Sequence, residues 1–87
     1  MAFTIVANNK TYTIIDHAAL RMLERDITEQ MVIDVLENGM LTTQPHGRDV
    51  YEAEIVHPDL GETLVVQVVI DEAKRIILTV IDITEGA

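Results

Sequence analysis

The sequence predicts an α+β domain in which two consecutive short helices pack on a mostly antiparallel, twisted β-sheet. Three observations carry that expectation. Runs rich in Ile, Val and Thr occupy residues 3–15 and 40–84, as strands require. Residues 16–39 instead place apolar side chains at helical spacing. After residue 39, each strand-like run is parted from the next by a short turn, which is the pattern of an antiparallel meander. All 87 residues form one domain: an N-terminal hairpin (3–15), helices (16–39) and the meander (40–84).

Each element has a local cause. Asn8-Asn9 lies between two strand-like runs, and Asn tolerates positive φ, so a tight hairpin is expected. Asp16 is placed to N-cap a first helix that runs to about Arg25, and Asp26 breaks it. Thr28 is a good N-cap for the second helix. Glu29 suits the positive end of its dipole, and Ile27 can staple onto Val32. Met31 occupies the third helical position in place of Glu or Gln, so the capping box is expected to be incomplete. Met31, Val32, Val35 and Leu36 form the buried stripe, and Gly39 after Asn38 is the stop signal.

The remaining strands are expected at 40–44, 49–56, 62–71 and 74–84. Turns fall at Pro45-His46-Gly47, at 57–61 and near Glu72-Ala73, and 85–87 form a frayed tail. The last two strands are apolar on both faces. Leu64, Val66, Val68 and Ile70 alternate with Val65, Gln67 and Val69, while Ile77, Ile81 and Ile83 alternate with Ile76, Leu78 and Val80. Two short helices cover one face only. The other face must curl on itself, receive the N-terminal hairpin or meet another chain, and curling is favoured slightly over a dimer.

Composition excludes several function classes. The chain has no cysteine and no serine, which removes thiolate metal sites, disulfides, and Cys or Ser nucleophiles. Fifteen acidic residues against six basic give a net charge of −9, which opposes general binding to nucleic acid or anionic membrane. No signal peptide or membrane-spanning run is present, so a cytoplasmic location is expected. The glycines are too scattered for a phosphate loop. His17, His46 and His57 lack metal-ligand spacing, so no metal and no cofactor is expected.

One stretch can carry chemistry. At about 100° per residue, His17, Arg21 and Arg25 fall on one face of the first helix, with Ala19, Leu20 and Leu23 opposite and free to pack. His17 is a candidate general base, and Arg21 and Arg25 are candidate phosphate ligands, the minimum for metal-free RNA cleavage. Tyr51, His46 or His57 can act as the acid if the fold brings one close, and Arg48 is a candidate substrate contact. The same residues also make an ordinary solvated face, with Arg21 paired to Glu24 and Arg25 to Glu29, and on side-chain physics alone this bland account weighs more. The acidic residues Asp49, Glu52, Glu54, Asp59, Glu62, Asp71 and Glu72 offer a negative surface for a basic partner, or simply solubility.

The motif His17-Ala-x-x-Arg21-Met22-x-x-Arg25-x-Ile27-Thr28, followed by a helix ending in Asn38-Gly39, resembles a bacterial family known as domain of unknown function 4258. The run RIILTVI at 75–81 is similar to the family's closing strand. The resemblance implies a fold like that of RelE/ParE-type toxins. It implies a toxin-like, metal-independent RNA endonuclease using His17, Arg21 and Arg25, with Tyr51 as the added candidate acid, and this function is placed first. The charge instead favours the alternative, a non-catalytic acidic module that binds protein through its acidic surface or second sheet face. The corresponding partners are RNA, an antitoxin-like protein, or a second copy in a homodimer. Asp26 stands where the family commonly has Gly, and the chain is more acidic than RelE-like nucleases.

Overall fold

Two adjacent asparagines start the architecture. Asn8 and Asn9 both take positive φ, 54° and 63°, and so close a two-residue hairpin between β1 (Phe3–Ala7) and β2 (Lys10–Ile14). The computed structural model describes residues 3–43 and 48–84. The chain continues through α1 (Asp16–Glu24), α2 (Glu29–Asn38), β3 (Met40–Thr43), β4 (Asp49–Val56), β5 (Thr63–Asp71) and β6 (Ile76–Asp82). The turn expected at Pro45-His46-Gly47 and the tail at 85–87 lie outside the described residues.

The six strands form one sheet in the order β1-β2-β6-β5-β4-β3. The expected mostly antiparallel sheet is corrected: the sheet is mixed. β2 and β6 run parallel, with Thr13 opposite Ile76 and Ile14 opposite Ile77. The physical reason is the connection. Short connections dictate antiparallel pairing for β1–β2, β4–β5 and β5–β6. No turn joins β2 to β6, so their direction is set by how the hairpin docks after both helices have intervened.

Both helices cover the same face. Ile5, Ala7, Tyr12, Ile14, Leu64, Val66, Val68, Ile70, Ile77 and Val80 meet Ala18, Met22, Ile27, Met31, Val32, Val35 and Leu36 in a single core. The α1 packing face differs from expectation. Ala18 and Met22 are buried, whereas Leu20 and Leu23 are exposed, Leu23 by 80%. Spacing of i, i+4 from the end of β2 puts Ala18 and Met22 against the sheet and turns the two leucines outward.

The helix ends refine the local expectations. Asp16 is the first helical residue, not the cap. Ile15 holds the N-cap position and supplies no side-chain hydrogen bond. Asp26, at φ 56°, does end α1 in the left-handed region. Thr28 caps α2, its Oγ1 accepting from Met31 N at 3.1 Å. The box expected to be incomplete is closed by sulfur: Thr28 N donates to Met31 Sδ at 3.5 Å. At the other end, Asn8 Nδ2 donates to Leu36 O at 2.9 Å, so the hairpin tip satisfies an orphan helix carbonyl. Gly39 stops the helix by close approach rather than by positive φ. Its φ is −77°, and an added Cβ would strike Val35 O and lie 2.8 Å from Glu52 O.

A β-bulge in β6 re-sorts its side chains. Val69 pairs with Thr79 and Ile70 with Ile77, which leaves Leu78 unmatched. Ile77 and Val80 therefore both face the core. Ile81, expected on the same face as Ile77, points to the opposite side with Thr79.

Candidate functional site

The α1 face was the first candidate, and its chemistry is already engaged. Arg21 Nη1 donates to Glu24 Oε1 at 2.6 Å, and Arg25 Nη1 lies 3.8 Å from the same oxygen. Arg21 pairs as the spacing implies, but Arg25 shares Glu24 rather than reaching Glu29. One carboxylate thus sits between the two guanidiniums, where a phosphate ligand site needs an open anion position. His17 is exposed and forms no hydrogen bond or ion pair with a described residue. Leu20 and Leu23 lie exposed on the same helix. These are features of a solvated surface helix.

The other candidate residues do not converge on it. Tyr51 sits on β4 facing the core side, opposite Val68 and Leu41. Burial pushes its phenol up, followed by the carboxylates of Glu72 and Asp49. Arg48 is exposed just ahead of β4 and forms no ion pair with a described residue. His46 lies outside the described residues.

His57 is in the interior, 1% exposed, and its role is structural. Its Nδ1 accepts from the backbone N–H of Asp59 at 3.1 Å and of Leu60 at 3.2 Å. Those two donors assign the proton to Nε2, which donates to Asp26 O at 2.8 Å with Asp26 Oδ2 at 3.4 Å. The ring therefore ties the β4–β5 turn to the α1–α2 junction. An acid–base role would require breaking that tie.

Sequence reasoning missed a cluster of long-range partners around Glu72. Tyr12 Oη donates to Glu72 Oε1 at 3.1 Å, across 60 residues of chain. Arg75 Nε donates to Glu72 Oε2 at 2.8 Å, and Lys10 Nζ is 3.7 Å from Oε1. The Arg75 guanidinium lies 5.9 Å from the centre of the Tyr12 ring. Burial first, then the hydrogen bond to Glu72, raise the Tyr12 phenol to about 12. Arg75, at φ 55°, also accepts from Thr13 N at 2.9 Å through its carbonyl. Every member has a partner within the cluster. Its effect is to lock the parallel β2–β6 seam at the β5–β6 turn. Only Tyr12, an aromatic ring on an alternating strand, carried a sequence signal, and that signal was for the core.

What remains without cover is the second face of the sheet. Val65, Gln67 and Val69 on β5, Thr79 and Ile81 on β6, Ile76, and Thr13 on β2 point there and are half-buried. Val50 is 9% exposed yet lies outside the main core, because its row faces away from the helices. Val6, Met40 and Val56 extend this face at 60%, 76% and 63% exposure. The N-terminal hairpin pairs within the sheet plane, so no described segment crosses the face.

Among the described residues, no group of three His, Cys, Asp or Glu side chains is arranged to hold a metal ion. No helix is long and apolar enough to cross a membrane. Compared with known proteins, residues 14–82 match a family model described as Domain of unknown function (DUF4258), a span from the last residue of β2 to the last of β6. Neither a curated protein nor a solved structure matches the chain.

Proposed function

The chain belongs to the DUF4258 family, and from that premise we propose that it is a non-catalytic, acidic interaction module that binds protein through the open face of its sheet. The observation that carries this function is the patch Val65, Val69, Thr79 and Ile81, which no described segment crosses. Exposed apolar area of this extent on a small domain marks a contact surface. The net charge of −9 excludes most anionic ligands from the same surface.

The competing function is a toxin-like, metal-independent RNA endonuclease of the RelE/ParE type. It needs His17, Arg21 and Arg25 to meet a phosphodiester together. Glu24, bound at 2.6 Å to Arg21 and 3.8 Å from Arg25, counts against it. The deciding experiment is incubation of a mixed RNA pool with purified protein in EDTA, beside His17→Ala and Arg21→Ala. Intact RNA at high protein concentration is expected. Cleavage that disappears in either variant, with both variants folded, would overturn the interaction module and install the nuclease.

A further inference from the structure

Resting on that interaction function, we propose that the occupant of the open sheet face is a second copy of this chain, joined across a two-fold axis that passes near Val50 and Val69, in the plane between the sheets and perpendicular to the strands. Three features of the face lead there: its area, its apolar centre and the placement of its few charges.

Six strands about 4.8 Å apart, of 4 to 9 residues at about 3.3 Å each, make a face of roughly 600 Å². Two copies face to face would bury roughly 1,200 Å², the lower bound for a specific, stable protein interface. The centre of the patch is Val50, Val69, Thr79 and Ile81, apolar or neutral throughout. Sheets stacked about 10 Å apart bury side chains of this size between them.

The charges decide the symmetry. Along β4 the outward row is Val50, Glu52 and Glu54, and Arg48 continues it one residue before the strand begins. Arg48 and Glu52 are equidistant from Val50. A two-fold axis at Val50, perpendicular to the strands, lays β4 over the second copy's β4 in reverse. Arg48 of each copy then meets Glu52 of the other, twice. Arg48 forms no ion pair with a described residue of its own chain. Glu52 Oε1 accepts from Gln67 Nε2 at 2.8 Å, and its second oxygen accepts from no described residue and can take the incoming guanidinium. On β5 the same operation sets Asp71 over the second copy's Gln67, a neutral amide. An axis along the strands offers no such pairing. The two Arg48–Glu52 pairs and the apolar centre hold the contact against the −9 on each chain, while Glu54 and Asp71 gain no opposite charge from a described residue.

The test is sedimentation equilibrium of the full chain from micromolar to millimolar concentration, with far-UV circular dichroism to confirm folding. The wild type is expected to be a dimer. Val69→Lys, at the centre of the contact, is expected to give a monomer even though it reduces net repulsion. Arg48→Glu, at an exposed position that leaves the fold untouched, is expected to weaken association about tenfold, since it removes two symmetric ion pairs. The double variant Arg48→Glu with Glu52→Arg swaps the charges and is expected to restore wild-type association. A wild type that stays monomeric throughout overturns the proposal. So does a dimer indifferent to Val69→Lys, which would place the contact elsewhere, for instance on Leu20 and Leu23 of α1. A charge swap that fails to restore association also overturns it, because the axis is then wrong. None of these outcomes revives RNA cleavage, which the EDTA incubation measures separately.

Discussion

Replacing His57 with Ala is expected to remove about 3 kcal/mol of stability, and the figure follows from three hydrogen bonds. The imidazole Nδ1 accepts from the amides of Asp59 and Leu60, and Nε2 donates to the carbonyl of Asp26. A buried hydrogen bond contributes about 1 kcal/mol net, and orphaning its partner costs about 1–3 kcal/mol. Water entering beside the exposed Asp59 and Leu60 recovers part of that loss, whereas Asp26 O lies under the buried ring. For a domain of this size, about 3 kcal/mol lowers the melting temperature by roughly 15 °C. Far-UV circular dichroism on heating is the direct assay, supported by hydrogen exchange at the Asp59 and Leu60 amides. His57→Asn provides the internal control. Its Oδ1 can take the place of Nδ1 and keep both amide bonds while the bond to Asp26 is lost, so it should recover about half of the deficit. The reasoning fails if His57→Ala melts within a few degrees of wild type, or if Asn is no better than Ala.

Two further outcomes follow from the backbone and from the Glu72 cluster. Gly39→Ala should destabilise by about 2 kcal/mol in urea denaturation, despite the helix-compatible φ of −77°, because the new methyl group meets the backbone oxygens of Val35 and Glu52. In an ultraviolet titration, one of the two tyrosines should ionise near pH 12, and Tyr12→Phe should remove that late step. The sign of the coupled stability follows. The Tyr12 phenol is raised from 10.0 to about 12, so its contribution is complete below pH 10 and is lost as pH rises through 12. Alkaline unfolding of Tyr12→Phe should therefore depend less steeply on pH over that window.

Local features were legible in the sequence wherever a local cause controls them. Asn8-Asn9 specified its hairpin because both residues accept positive φ. Thr28 and Asp26 marked the start of α2 and the break after α1 for the same kind of reason. The inward row Leu64, Val66, Val68 and Ile70 followed from strict alternation in an unbulged strand. Alternation failed one strand later. The extra residue Leu78 shifts the phase of β6, and nothing in an uninterrupted run of apolar residues reveals where a bulge will sit. The surroundings of the candidate site were hidden from the sequence in a related way. The spacing of His17, Arg21 and Arg25 was plain, but whether those groups faced a ligand or a carboxylate depended on where Glu24 pointed.

The sequence by itself determined the order and type of the elements, the hairpin, the cap of α2, and a sheet with two apolar faces for two short helices to cover. These depend on turn chemistry and side-chain periodicity, which act over a few residues. The tertiary structure alone decided that β2 joins β6 in parallel, that Tyr12, Lys10, Glu72 and Arg75 close over that seam, and that His57 is a buried tie rather than an acid. Each of these joins residues tens of positions apart. No local propensity encodes such a contact, because its free energy exists only once the intervening helices have packed and closed the loop between its ends.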